Sequence, residues 1–289
     1  MKVLITGEKG YIATCLARYL NESGDFTARQ VSVRNGFAPY KLSEYDAIVH
    51  AAAIVHQMDK NIPYEQYLEV NTTLTRELAD AALKAGVKHF VFFSSMGVYE
   101  GYAGKKAEMP INNKTDVSFS SAYASTKYGA EELLREIDNE LNISIIRPPL
   151  VYGKGSPGNI HRLFRFAGKT PFFPLTDNLR SMIYIDNLCE LIRLILINQK
   201  TGLFCPQNAE YVNVSDLITL MGHIQGNGIA LLKIPGPIIK LSLKFQSCNK
   251  VFGNYYYDKD FSSCFDNAYQ IVGFEESIIN TFSKPLIIS

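Results

Sequence analysis

Lys2-Val3-Leu4-Ile5-Thr6-Gly7-Glu8-Lys9-Gly10-Tyr11-Ile12-Ala13 begins with a short apolar run. Such a run is what a strand buried inside a parallel sheet requires. Apolar residues then recur at Ile12, Leu16, Tyr19 and Leu20, which is helical spacing. The segment therefore reads as strand, glycine turn, helix. Gly7 permits the tight turn, Gly10 lets a pyrophosphate approach the amides at the helix N-terminus, and Ala13 keeps the helix close to the sheet. The spacing G-x-x-G-x-x-A differs from the dehydrogenase form G-x-G-x-x-G, yet its position points to a dinucleotide.

Outward from this turn the chain keeps alternating. The pattern predicts strands over Ala28–Val33, Asp46–Ala53, His89–Ser95 and Ile143–Arg147. Helices are predicted over Pro63–Ala85, ending at Gly86, and from Ser121 to about Glu140. This is an α/β doubly wound, Rossmann-like parallel sheet, with ligands expected at the carboxyl ends of its strands. Only ten residues separate Arg34 from Tyr45, so the adenine side should be trimmed. Beyond Pro148 the alternation loosens. Helices are expected at Asn159–Ala167, Asn187–Asn198, Ser215–Gln225 and Pro237–Phe245, with short strands near Gly202–Cys205 and Ala230–Ile234. The expected organisation is a nucleotide domain over 1–150 and a smaller substrate lobe over 151–289, interleaved at the boundary.

Composition removes several classes of function. An apolar content of 47% supports a full core. Twenty-nine Lys and Arg against 28 Asp and Glu leave a net charge of +1, no basis for binding nucleic acid. The five cysteines, Cys15, Cys189, Cys205, Cys248 and Cys264, show no C-x-x-C spacing, so neither a disulfide frame nor a metal site is expected. No apolar run reaches membrane-spanning length, and a cytoplasmic protein is expected. Lys240, Lys244 and Lys250 lie among Leu241, Leu243 and Phe245, which reads as a lid or core helix or as a membrane-touching amphipathic one.

Ser121-Ala-Tyr-Ala-Ser-Thr-Lys127 sets Tyr123 and Lys127 four apart on one helix face. Free tyrosine has a pKa of about 10, and a neighbouring ammonium can lower it by favouring the phenolate. With this pair, the chain resembles the extended short-chain dehydrogenase/reductase superfamily, in its NAD-dependent nucleotide-sugar epimerase/dehydratase branch. The motifs are Ile5-Thr6-Gly7-x-x-Gly10-x-x-Ala13, His50-Ala51-Ala52-Ala53, Val70-Asn71, Ser94-Ser95-x-x-Val98-Tyr99, Tyr123-x-x-x-Lys127, Arg147-Pro148 and Arg180 through Asp186. Their order and spacing cover nearly the whole chain.

The resemblance implies Ser95, Tyr123 and Lys127 as catalytic residues, with Ser94 a rival for the serine. It implies cofactor contacts at Gly7, Gly10, Tyr11, Ile12, Arg34, Ala51, Ala52, Ala53, Asn71, Ser94, Tyr123, Lys127 and Pro148. Substrate contacts are implied at Ser95, Asn159 and Arg180, the last two on the diphosphate of a UDP-sugar or related nucleotide-sugar. A guanidinium fork suits phosphate oxygens, although a surface arginine near a helix start reads the same way. Helices 63–85 and 121–140 resemble those that pair two subunits in this family, which implies a homodimer. Three positions depart from the pattern: Glu100 replaces the usual glycine, Leu150 a substrate-contacting asparagine, and Val55 the lysine of 4-epimerases.

NAD-specific sites carry a carboxylate after the second strand, about 20 positions beyond the glycine loop. Here Arg34 stands 21 positions after Ala13, beside Ser32. NADP is therefore preferred over NAD, the alternative being a solvent-facing arginine beside a cofactor held by backbone alone. The leading expectation is reduction of a UDP-linked 4-keto sugar at C4. A UDP-hexose 4-epimerase using the same residues is the alternative, and an inactive NADP-binding regulator stays open. A dehydratase is disfavoured, because Met96-Gly97 stands where that reaction's Asp-Glu pair belongs.

Overall fold

The computed structural model describes residues 1–38, 40–55, 62–103, 109–233 and 252–283. Its centre is a six-stranded sheet in which every pairing is parallel. The strands are β1 (Lys2–Thr6), β2 (Thr27–Val31), β3 (Ala47–His50), β4 (His89–Phe93), β5 (Asn142–Ile146) and, out of local order, β9 (Gly202–Phe204). They lie in the order β2-β1-β3-β4-β5-β9, so the strand order reverses at β1, between β2 and β3. That reversal opens the crevice where doubly wound folds bind ligands. Among the described residues no strand flanks β2 on its outer side, and a 3-10 turn at Leu42–Glu44 lies in the interval before β3.

Strand periodicity of two sends alternate side chains to opposite faces, and both faces are dry. Val3, Ile5, Val49, Val91 and Ile146 belong to one core with Leu16 and Leu20 of α1 (Tyr11–Glu22). Leu188, Leu191 and Ile195 of α6 (Ile185–Asn198) complete that layer. Leu4, Ile48, Phe90, Phe92 and Ile145 face the other way. They pack on Leu78 and Ala82 of α3 (Leu74–Lys84) and on Ala130 and Leu134 of α4 (Ala122–Arg135). A side chain of this size is worth about 1.5–3 kcal/mol when fully buried, so the two layers dominate the stability of the sheet.

The single helix expected at 63–85 is broken in the middle. It runs as α2 (Tyr64–Leu68), a π-helical turn (Glu69–Thr73) and α3. After β5 the chain forms β6 (Leu150–Tyr152), α5 (Ile160–Ala167), β7 (Phe172–Pro174) and β8 (Met182–Tyr184) before α6 and β9 rejoin the main sheet. Thus residues past 150 contribute to both units. The remaining elements are α7 (Val214–Ile224), β10 (Ala230–Leu232), α8 (Lys259–Ser262) and α9 (Phe274–Phe282). β6 pairs with β8 and β7 with β10, two small parallel sheets that the loosened sequence pattern did not reveal. The helix expected at 237–245, with Lys240, Lys244 and Lys250, lies outside the described residues, as does Cys248. Among the described residues the cysteines are unpaired, and no helix is long and apolar enough to cross a membrane.

Candidate active site

Gly7 leaves β1 at a φ of 105°, left-handed space that a side chain rarely enters. A Cβ there would stand 3.3 Å from the Ala52 amide, so the glycine loop and the end of β3 are pressed together. Gly10 bonds back to the Gly7 carbonyl at 2.7 Å and starts α1 without a side-chain cap. The first-turn amides of a helix have no intrahelical acceptor and present a positive end to an anion. The Gln30 amide donates to the carbonyls of Gly7 (3.0 Å) and Glu8 (2.8 Å), holding the loop from β2. Sequence reading did not single it out, since one glutamine in a strand carries no signal of its own.

His50 organises the floor of the crevice. The Thr75 hydroxyl donates to the Asn71 carbonyl at 2.8 Å, so it accepts from His50 Nε2 at 3.0 Å. His50 Nδ1 is then the acceptor of the Thr6 hydroxyl at 2.8 Å, and Thr6 Oγ1 accepts the Ala52 amide at 3.1 Å. One tautomer satisfies every partner. Burial pushes His50 down to about 3, with the Lys127 charge adding to it, so the ring is neutral near pH 7.

The π turn carries Asn71 to the same place. Its side-chain oxygen accepts the Ile54 amide (2.8 Å), and its Nδ2 donates to the Ile54 carbonyl (3.0 Å) and to Thr126 Oγ1 (3.2 Å). The amide expected on the cofactor is therefore spent bracing the Ala51–Ile54 loop against α4. Two other residues expected at the cofactor have buried hydroxyls. The Ser94 hydroxyl donates to the fully buried Glu131 carboxylate, 2.5 Å away. The Tyr11 phenol faces Cys15 and Ile185, beside a glycine, Gly153, whose Cβ would stand 2.6 Å from its oxygen. Its hydroxyl is buried and has no hydrogen-bond partner among the described residues.

Ser95 ends the fourth strand's run and accepts the Gly97 amide at 2.9 Å. Ser121 caps α4, placing Tyr123 in its first turn and Lys127 one turn later. The Tyr123 phenol meets the Ser95 hydroxyl: burial raises its pKa and that hydrogen bond lowers it. Lys127 is itself perturbed by burial. Its own ammonium is 1% exposed and pushed down to about 7 by burial, with Glu131 pulling the other way. Lys127 Nζ lies 4.5 Å from the Phe92 ring centre and has no hydrogen-bond partner among the described residues. An orphaned buried ammonium one turn from a phenol is the donor that a ribose hydroxyl would satisfy. The cradle at Gly7 and Gly10 and this lysine together fit a nicotinamide dinucleotide.

Arg34 is exposed three residues beyond β2. Among the described residues it forms no ion pair, so its guanidinium is available to a ligand. Pro148 is buried, and its carbonyl accepts the Met96 amide at 2.9 Å. Arg180 lies in a backbone bridge between Val212 and Tyr255. Its guanidinium donates to the Gly253 carbonyl at 2.9 Å and lies 5.9 Å from the Tyr255 ring. Burial lowers its pKa, and no carboxylate pairs with it among the described residues, an arrangement suited to an anion. The Tyr255 hydroxyl donates to the Met96 carbonyl at 2.6 Å, tying Arg180 to the Ser95 loop. Asn159 stands exposed at the start of α5 and makes no capping bond. Val55 and Leu150 are half exposed, at 52% and 50%.

A family model described as the NAD dependent epimerase/dehydratase family matches residues 3–204. Among curated proteins, UDP-glucose 4-epimerase of Vibrio cholerae is 29% identical over 75% of this chain and 73% of its own. The N-acetyl-α-D-glucosaminyl-diphospho-ditrans,octacis-undecaprenol 4-epimerase of Escherichia coli O157:H7 is 30% identical, covering 74% of this chain and 66% of its own. Among solved structures, UDP-glucuronic acid 4-epimerase from Bacillus cereus with NAD shares the fold at a TM-score of 0.73, with 18% identity and 97% of each chain covered. The dTDP-4-dehydrorhamnose reductase of Bacillus anthracis str. Ames with NADP does so at 0.64, with 17% identity over 82% of this chain and 85% of its own. With the family model spanning the sheet, the glycine turn and the Ser95, Tyr123 and Lys127 segments, the chain belongs to the NAD dependent epimerase/dehydratase family, an NAD(P)-dependent enzyme family that includes nucleotide-sugar epimerases and reductases.

Proposed function

We infer that this protein reduces a UDP-linked 4-keto sugar at C4, a UDP-linked 4-keto-6-deoxy-N-acetylhexosamine being the substrate type in view. The observation that carries the reading is the orphaned, buried Lys127 ammonium one helical turn from Tyr123, whose phenol is eased toward ionisation by Ser95. A bound nicotinamide supplies hydride to C4. Tyr123 gives its phenolic proton to the C4 oxygen, and the Ser95 hydroxyl holds that oxygen by a second hydrogen bond. Lys127 donates to the nicotinamide ribose and steadies the phenolate left behind. Arg180 meets the substrate diphosphate from the side of Tyr255, and Arg34 meets the 2′-phosphate of NADPH, the cofactor suited to net reduction.

A UDP-hexose 4-epimerase is the second reading, favoured by the resemblance to two relatives named as 4-epimerases. The same residues would then remove and return the O4 proton. Leu150 and Val55 weigh against it, because these apolar side chains stand where the resemblance implies a substrate-contacting asparagine and the lysine of 4-epimerases. Incubation with a panel of UDP- and dTDP-sugars and their 4-keto forms, with and without NADPH, separates the two by chromatography. N-acetylglucosamine on an undecaprenyl diphosphate belongs in the panel, because it shares the diphosphate that Arg180 would hold. Conversion of a keto sugar only with NADPH supports the reductase. Interconversion of 4-epimers without added NADPH would replace it with the epimerase.

A further inference from the structure

Glu100 stands in the 3-10 stretch Met96–Tyr102 that follows Ser95. One carboxylate oxygen accepts the backbone amides of Ser120 (2.6 Å) and Ser121 (2.5 Å) and the Ser120 hydroxyl (3.2 Å). The other accepts the Ser121 hydroxyl at 3.0 Å. Ser121 Oγ in turn accepts the Ala124 amide at 3.2 Å, capping α4. Backbone bonds zip the same two strands of chain together, from the Gly101 amide to Ser118 O (2.7 Å) and from the Ser118 amide to Val98 O (2.9 Å). A carboxylate at a helix N-terminus is also favoured by the helix dipole.

The geometry points to Glu100 as a positioning residue that ties the Ser95 loop to the N-terminus of the Tyr123 helix and so sets the Ser95–Tyr123 contact. Ser95 and Tyr123 sit on separate elements, and neither element is fixed relative to the other by sequence adjacency. Glu100 lies five residues after Ser95, and its acceptors' donors lie two and three residues before Tyr123. Its carboxylate is saturated by four donors, so it is not a group that touches substrate. A glycine at this position has no side chain with which to make the clamp. The inference rests on the Ser95–Tyr123 reading above and adds to it the residue that holds the pair in register.

The test reads the Tyr123 phenol directly, without a substrate. Full-length protein carrying 3-fluorotyrosine, whose lower phenol pKa keeps the titration within the stable range, is titrated by 19F NMR, with Tyr123→Phe assigning the resonance. Ser95→Ala should raise the Tyr123 pKa by about 1, the tenfold loss in ionisation expected when one hydrogen bond to the phenolate goes. Glu100→Gln removes the charge but keeps an acceptor for the two amides, and serves as the reference for the charge effect. Glu100→Ala should lie about 1 above Glu100→Gln, close to Ser95→Ala. Glu100→Asp keeps the charge on a shorter arm, should rise in the same direction relative to wild type, and carries the comparison if the alanine variant fails to fold. If Ser95→Ala shifts Tyr123 while Glu100→Ala matches Glu100→Gln and Glu100→Asp matches wild type, the positioning role is overturned and the pair stands. If Ser95→Ala itself leaves Tyr123 unmoved, the Ser95–Tyr123 reading fails and the role of Glu100 falls with it.

Discussion

In the proposed reaction two side chains carry the proton transfer and the choice of cofactor. Burial keeps the Tyr123 phenol protonated at neutral pH, ready to give its proton, and Ser95 is the group that eases its ionisation. Tyr123→Phe should therefore lower turnover by roughly 10²- to 10⁴-fold while cofactor affinity stays within about twofold, as steady-state rates and fluorescence titration can show. Retention of more than half the activity would remove Tyr123 from the mechanism. Arg34 is proposed to favour NADPH over NADH. A charge-assisted contact with a 2′-phosphate is worth about 1.5–3 kcal/mol, so Arg34→Ala should weaken NADPH binding roughly 10- to 100-fold and leave NADH unchanged. Wild-type protein that already binds both equally would show that Arg34 does not meet the phosphate. The strand, glycine turn and helix at the start of the chain, and the placing of Tyr123 and Lys127 one turn apart on α4, were legible because each signal is local and tied to a fixed spacing. The bonds that Asn71 makes to Ile54 and Thr126, and Ser94 to Glu131, were not legible, because those partners are set by packing and not by spacing.

At the scale of elements, α4 is held against the sheet by more than its apolar face. Glu131 is fully buried and receives Arg147 Nε at 2.8 Å and Nη2 at 2.5 Å, Arg135 Nη2 at 2.7 Å and the Ser94 hydroxyl. Arg147, at the end of β5, also donates to the Tyr99 hydroxyl at 2.5 Å and is 3% exposed. Breaking such a buried pair leaves an uncompensated charge, which costs about 3–5 kcal/mol. Glu131→Gln should lose that much in urea unfolding, whereas Asp80→Ala, which breaks the half-exposed Arg76–Asp80 pair on α3, should lose under about 1 kcal/mol. Equal losses would mean that the buried pair does not anchor α4. The strands and helices themselves were readable from their two periods, and most boundaries fell within a few residues. The π turn inside 63–85 was not, since the apolar spacing runs through it unbroken and only the Asn71 and Thr75 contacts mark the extra residue.

Across the whole molecule, three buried bases make stability depend on pH in one direction. His50 and His89 are pushed down to about 3 and about 4 by burial, against about 6.5 in the unfolded chain. Between those values the unfolded chain binds more protons, so folding is favoured above pH 6.5 and weakens as pH falls through the folded values. At pH 5 each histidine costs about 2 kcal/mol, from 1.36 kcal/mol per pKa unit. Lys127 acts in the next window. Its folded value of about 7 lies below the unfolded value of about 10.4, so its burial penalty is full below pH 7 and fades as pH rises toward 10. Protein stripped of nucleotide should thus gain stability continuously from pH 4 to 9.5 instead of levelling off near neutrality. Lys127→Met should be more stable than wild type at pH 6, by an amount on the order of 3–5 kcal/mol, and the gap should narrow by pH 9.5. Saturating NADPH should shrink it at pH 6 as well, because the ribose gives the ammonium a partner that methionine cannot use. Thermal unfolding of both proteins at three pH values tests this, and a gap that neither narrows with pH nor responds to NADPH would mean that Lys127 is not the buried, unpartnered cation of this site.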